Sequence, residues 1–233
     1  MTEHTLRAYD QELQDLAQLV AEMGGLAERH VRSAIDALIR RDASLANSVI
    51  AADETVDALG RRIEELAVQL IAKRAPLAGD LREIVAALRI SIDLERVGDF
   101  AKNISRRLPS LAGEADPHLL MRRVEQMANL ALIQIRNVLD SYVRRDAGEA
   151  LAVWKGDQEI DAMYTSLFRE LLTYMMENPR NITFSTHLLF CAKYVERIGD
   201  HATNIAETVS YMISGELPHG KRPKADLSIS EAI

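Results

Sequence analysis

The chain contains a copy of one of its own segments. "ERVGDFAKNIS", beginning at Glu95, returns 101 residues later as "ERIGDHATNIA", beginning at Glu196, with seven of eleven positions identical. Upstream, "RRDASLANSVIAADETVD" at Arg40 aligns without a gap on "RRDAGEALAVWKGDQEID" at Arg144, with eight of eighteen identical at an offset of 104. A buried apolar stripe needs only matching volumes, so repeated identity among polar residues asks for a reason beyond packing. The three residues by which the offset shrinks belong between the second and third helices of one copy, where a loop tolerates their loss.

Each copy reads as three helices. Leu6, Tyr9, Leu13, Leu16, Val20, Met23, Ala27, Val31, Ile35 and Leu38 step by three and four along one long amphipathic helix. Asp42 then stands as the N-cap of a second helix, whose stripe is Val49, Ala52, Val56, Leu59, Ile63, Leu66 and Leu70. Pro76 and Gly79 disfavour its continuation, and a third helix runs from about Asp80 to Leu108. After "LPSLAGEADP" the pattern restarts, with Asp116 as N-cap and Pro117 at the first helical position. The expected fold is all-α, a tandem duplication of a three-helix bundle with six long helices. Residues 1–110 form the first repeat, 111–215 the second, and 216–233 a loose tail with no usable period.

Charge narrows the partners. With 28 Lys and Arg against 35 Asp and Glu, the net charge of -7 opposes a nucleic-acid backbone. The amino-terminal stretch is acidic and amphipathic, and no apolar run approaches membrane-spanning length, so membrane contact is expected only through another protein. One cysteine, Cys191, allows no intramolecular disulfide and suits a reducing cytoplasm. It aligns with Ile90 and reads as a small core hydrophobe.

On a helix, residues four apart point in nearly the same direction, so Glu95, Asp99 and Asn103 make one oxygen-bearing stripe and Glu196, Asp200 and Asn204 its twin. The stripe lies on the side opposite the core positions Leu94, Val97, Ala101, Ile104 and Leu108 of the first copy and Val195, Ile198, Ala202, Ile205 and Val209 of the second, and in the first copy it continues the apolar row Leu81, Val85, Leu88, Ile92. Asp53 with Asp57, and Asp157 with Asp161, add an acidic pair on each second helix. Like charges at this spacing cost a few tenths of a kcal/mol unless a cation neutralises them. Clustered hard oxygens suit divalent or ferric ions such as Mg, Mn, Ca or Fe, and Zn less well without His or Cys. A single such pair is commonly a solvated face, and Arg96 and Arg197 offer the alternative of a structural ion-pair network. Gly98 and Gly199, in mid-helix, fit the close approach of another helix. His201, aligned with Phe100, reads as partly exposed, with a nitrogen available to the second site.

The paired "ERxGDxxxNI" segments, with their acidic pairs on the second helices and the tandem three-helix organisation, resemble the PhoU family of phosphate-uptake regulators over about residues 3 to 214. The resemblance implies a cytoplasmic, non-enzymatic adaptor that binds metal clusters through its acidic motifs. It further implies contact with the ATPase side of a phosphate ABC transporter and with a sensor histidine kinase, repressing the phosphate-starvation response when phosphate is plentiful; a homodimer is expected. Carried over by position, the candidate ligands are Asp53, Asp57, Glu95, Asp99, Asp157, Asp161, Glu196 and Asp200, with Asn103, Asn204, Arg96 and Arg197 around them. Glu54 follows Asp53 whereas Gln158 follows Asp157, so the clusters need not be equivalent. A metal-free helical scaffold and a carboxylate metalloenzyme stand as alternatives, the latter opposed by the lack of a helical Glu-x-x-His pair.

Overall fold

The structure is a computed structural model that describes residues 2–111, 118–156 and 158–218, with side chains described from Ala8 onward. Asp116, Pro117, Asp157 and all of the expected tail beyond Pro218 lie outside the described residues. Among those described, every regular element is helical: α1 (Thr2–Arg40), α2 (Ala43–Arg74), α3 (Ala78–Arg107), α4 (His118–Arg144), α5 (Ala147–Lys155), α6 (Gln158–Glu177) and α7 (Ile182–Ser214). Short 3-10 turns at Leu108–Leu111 and Pro179–Asn181 join them.

The repeated "RRDA" has a local explanation. Arg41 and Arg145 both take left-handed backbone, with φ of 53° and 55°. Behind each, two hydrogen bonds close the preceding helix. Asp42 N–H donates to the Ala37 carbonyl and Asp146 N–H to the Ser141 carbonyl, each at 2.9 Å. Arg41 N–H and Arg145 N–H reach Leu38 and Tyr142, completing the paired helix-ending bonds of a Schellman turn. The aspartate then opens the next helix: Asp42 Oδ1 accepts from Leu45 N–H at 3.0 Å, and Asp146 Oδ1 from Gly148 N–H at 2.9 Å and Glu149 N–H at 3.0 Å. One helix stops and another starts within four residues, which sets the reversal of direction in both repeats.

The second helix of the second repeat, expected as a single element, is interrupted at Gly156, with α5 ending at Lys155 and α6 beginning at Gln158. Gly156 stands where Ala52 stands in the first repeat, and glycine weakens a helix interior by about 1 kcal/mol. Its carbonyl is drawn outward to accept from Gln134 Nε2 at 3.0 Å. Gly79, expected to help terminate α2, instead lies in the first turn of α3; left-handed Ala75 and Pro76 make the break.

Each set of three packs on itself, α1–α2–α3 and α4–α5/α6–α7, and α3 against α7 with α1 against α4 joins the sets around one continuous apolar core. The long rows read from the sequence are its backbone: Leu16, Val20, Met23, Ala27 and Val31 of α1, and Leu94, Val97, Ala101 and Ile104 of α3 against Val195, Ile198, Ala202 and Ile205 of α7, are all fully buried. Truncating one of the larger among them to alanine costs about 2–5 kcal/mol. Cys191 lies in this core, where burial pushes its thiol up to about 12. No described helix is long and apolar enough to cross a membrane.

Candidate functional site

The acidic stripes are positioned by one helix crossing. At buried Gly98 a Cβ would stand 3.4 Å from Val56 Cγ1, an ordinary van der Waals distance, so α3 packs on α2 at this point without the spacing requiring a glycine. The helices run antiparallel through that point, which puts Asp53 beside Lys102 and Asp99 on one side and Asp57 beside Glu95 on the other. Asp57 and Glu95 share a cleft of about 450 Å³ with Gly60, Arg61 and Glu64. The apolar row leading to it is wetter than its sequence suggests, since Leu81 and Ile92 are exposed.

The first cluster is neutralised from within. Lys102, unremarked in the sequence reading, sends its ammonium to Asp53 Oδ2 in a short ion pair and to Asp99 Oδ1 at 3.5 Å, bridging α2 to α3. The hydrogen bond to Asp53 holds the Lys102 ammonium above the ordinary lysine range. Arg96 Nη1 meets Asp99 Oδ2 at 3.3 Å from the solvent side. From α1, buried His30 faces the charge of Asp53; burial lowers its basicity, and its Nδ1 is unpartnered. Position 134 is the counterpart of His30, and Gln134 also turns to its second helix, at Gly156. The only signal for Lys102 in the sequence was its place in "AKNI" against "ATNI", which reads as ordinary variation until the helices are packed.

The second cluster is built differently. Asp161 and Glu196 are buried, Asp200 is half-buried, and Asp157 lies outside the described residues. Lys193 donates to Glu196 Oε1 at 2.8 Å from its own helix, with its side chain 41% exposed and its ammonium 5.0 Å from the Tyr164 ring centre. The other carboxylate oxygen, Glu196 Oε2, is buried and without a hydrogen-bond partner. Burial raises the Glu196 carboxyl above the usual range; the charges of Asp200 and Asp161 add to this and Lys193 opposes it. Thr203, in the place of Lys102, donates inward to the Gly199 carbonyl at 3.1 Å.

Other candidates turn toward the junction of the repeats. His201 Nδ1 lies 2.7 Å from Asp93 Oδ1 and Asn204 Nδ2 donates to the same oxygen at 3.4 Å, so both face α3 of the first repeat. The nitrogen considered for the second site is thereby engaged elsewhere. Arg197 is exposed and lies over the Phe100 ring at 4.7 Å, and Phe100 stacks on Tyr194 with centroids 5.8 Å apart. Asn103 is half-buried one turn beyond Asp99. Among the described residues no three His, Cys, Asp or Glu side chains converge enough to hold a metal ion as they stand. The donor chemistry nevertheless fits a hard cation at the second cluster, where a buried oxygen of Glu196 lacks a partner; in the first, the Lys102 ammonium stands between Asp53 and Asp99.

A family model described as "PhoU domain" matches the chain twice, over residues 20–108 and 124–209. The chain belongs to the PhoU family. It is similar to the protein called phosphate-specific transport system accessory protein PhoU homolog of Rhizobium meliloti, 54% identical over 97% of this chain and 95% of that one. The protein of the same description from Caulobacter vibrioides is 51% identical over 97% of this chain and 99% of its own length. The crystal structure of PhoU from Pseudomonas aeruginosa superposes with a TM-score of 0.83 at 37% identity, covering 89% of this chain and all of that one. The two matched stretches contain the clusters, one each, including Asp53 to Asp99 in the first and Asp161 to Asp200 in the second.

Proposed function

We propose that this chain is an accessory regulator of phosphate transport that acts by contact rather than catalysis. It holds the ATPase of a phosphate ABC transporter and a sensor histidine kinase in an assembly that represses the phosphate-starvation response while phosphate is plentiful. It works in the cytoplasm as a homodimer and reaches the membrane only through those partners. The observation carrying this reading is the double match to one domain, with an acidic cluster at the same place in each copy, in a chain whose relatives are called accessory proteins of phosphate-specific transport. Exposed Leu119, Met176 and Phe190 on the helices, with Leu77 in the turn before α3, supply apolar anchors for partners.

Divalent or ferric ions, Mg, Mn, Ca, Fe or Zn, bind at the acidic clusters. Asp161, Glu196 and Asp200 hold the ion in the second, joined by Asp157, and Asp53, Asp57, Glu95 and Asp99 supply oxygens in the first. Bound there, a cation supplies charge that ties second helix to third. A metal-free scaffold has one observation in its favour, the Lys102 and Arg96 ion pairs that already neutralise part of the first cluster. Elemental analysis of protein purified without chelator separates the two. For the regulatory role, deletion should leave starvation genes active in rich phosphate, and the transporter ATPase and kinase should co-purify from membranes. Normal repression in the deletion strain, with neither partner recovered in high or low phosphate, defeats the proposal.

A further inference from the structure

We propose that the cleft between α1 and the end of α4 is a docking groove for a short peptide that is basic and then apolar, and that residues 219–233 of the same chain occupy it. The contact is independent of any metal at the acidic clusters.

The groove is made by two antiparallel helices, one of which stops short. α1 and α4 touch where a Cβ on Gly24 would stand 2.5 Å from Leu139 Cδ1, and one turn away Arg136 of α4 pairs with Glu28 of α1. α4 then ends at Arg144 while α1 runs on, leaving a cleft of about 630 Å³, large enough for a ligand or a peptide's side chains. Its wall is apolar along one row of α1, Leu13, Ala17 and Ala21, with Met212 opposite, and its rim carries Asp10 and Glu83. Arg145 at the same rim is already paired with Glu83. Secondly, α7 ends at the mouth of this cleft. Gly215, in left-handed backbone with φ of 80°, closes the helix by donating to the Tyr211 carbonyl at 2.8 Å. Met212 lines the cleft, and Met212 with Ile213 also lines a polar notch that holds Asp80; notch and cleft share Glu83, Arg145 and Met212, so the chain that leaves Gly215 starts beside the groove. Thirdly, the sequence that follows suits the surface. Lys221, Arg222 and Lys224 complement Asp80 and Asp10, and Leu227 and Ile229, at alternate positions, fall on one side of an extended chain. At about 3.3 Å per extended residue, the stretch from Pro218 to Leu227 reaches about 30 Å, whereas α1 from Asp10 to Ala21 is only about 16 Å long. The basic residues thus meet the rim first, and the apolar pair lies over Ala17 and Ala21. Tethering gives this segment an effective concentration of roughly millimolar at the groove, an advantage over any free peptide of equal chemistry.

The test uses the full chain with the cysteine pair Ala17→Cys and Ile229→Cys, oxidised by diamide and read by peptide mass mapping. Cys191 stays out of the exchange, being buried with its thiol pushed up to about 12. A disulfide within one chain should form at least about tenfold faster than in Val68→Cys with Ile229→Cys, where Val68 is 57% exposed on α2, because only a docked segment holds the two thiols within bonding reach. Reversing the charges with Lys221→Glu, Arg222→Glu and Lys224→Glu, or adding about 0.5 M NaCl, should slow the reaction about threefold or more. Gln14→Cys, at an exposed position of the same cleft, replaces Ala17→Cys should that variant fold poorly. Equal rates for the cleft and Val68 pairs, or indifference to charge reversal and salt, overturn the proposal. Disulfides formed chiefly between chains give the cleft to a second copy and overturn the assignment of the occupant.

Discussion

The two acidic clusters arise from one duplicated motif and end in different electrostatic states. In the first, Lys102 bridges Asp53 and Asp99 across α2 and α3; in the second, Thr203 turns inward, Lys193 reaches Glu196 from the rim, and a buried carboxylate oxygen is left unpaired. Three exchanges accompany the difference, Lys102 for Thr203, Ile92 for Lys193 and Phe100 for His201, all at positions flanking the shared acids of the third helix. The motif decides where the carboxylates stand. The residues flanking them decide which protein side chain reaches each carboxylate, Lys102 for Asp53 and Asp99, Lys193 for Glu196.

The largest effect should come from removing the bridging cation. In urea denaturation with chelator present, Lys102→Ala should lose about 2 kcal/mol, because Asp53 is left buried with an unpaired charge. Lys193→Ala should lose less than about 1 kcal/mol, because that lysine is 41% exposed and its buried partner Glu196, whose carboxyl is already raised by burial, can take up a proton instead. Equal losses would break the contrast. Next comes Glu196→Gln, which should gain about 1 kcal/mol at pH 7.5 in chelator by removing a desolvated charge; Glu95→Gln in its half-exposed cleft should change by about 0.5 kcal/mol or less.

The pH dependence of that gain has a fixed sign. The folded-state carboxyl of Glu196 is raised, so the native chain holds this proton more firmly than the unfolded one. Its favourable contribution is present in acid and is lost as pH rises through the folded value. The advantage of Glu196→Gln should therefore be full at pH 7.5 and fade toward the ordinary glutamate range; an advantage that grows on acidification would reverse the assignment.

A smaller effect belongs to the junction. His201→Phe makes the second motif read like the first at that point, and removes the contact with Asp93 that supplements Asn204, which should cost about 1 kcal/mol and lower the melting temperature by about 2–4 °C. An unchanged melting curve would mean that His201 and Phe100 are interchangeable there. The smallest is Arg96→Ala, whose exposed pair with Asp99 should be worth less than about 0.5 kcal/mol. A loss comparable to that of Lys102→Ala would shift the neutralising role from lysine to arginine.

Much of this molecule could be read before any coordinates. The apolar rows of α1, α3 and α7 gave the core because spacing of three and four fixes which side of a helix is dry. Asp42 was legible as a cap because its bond to Leu45 N–H lies within three residues of chain. Gly98 reads as a close approach, yet a Cβ there would meet Val56 at an ordinary 3.4 Å, so the spacing does not demand a glycine. Local periodicity also put the carboxylates on common stripes, and duplication said that the arrangement occurs twice. What the sequence by itself determined, then, was helix identity, helix order, the dry faces and the directions of the acids, all of which follow from contacts no more than a turn or two apart. Tertiary structure alone decided that Lys102 reaches Asp53, 49 residues away, that Asn204 and His201 address Asp93 of the other repeat, and that one oxygen of Glu196 is left unpaired. The reason is physical: the strength and even the sign of an electrostatic contact depend on distance and on exclusion of water, and both are set only when helices distant in sequence pack together.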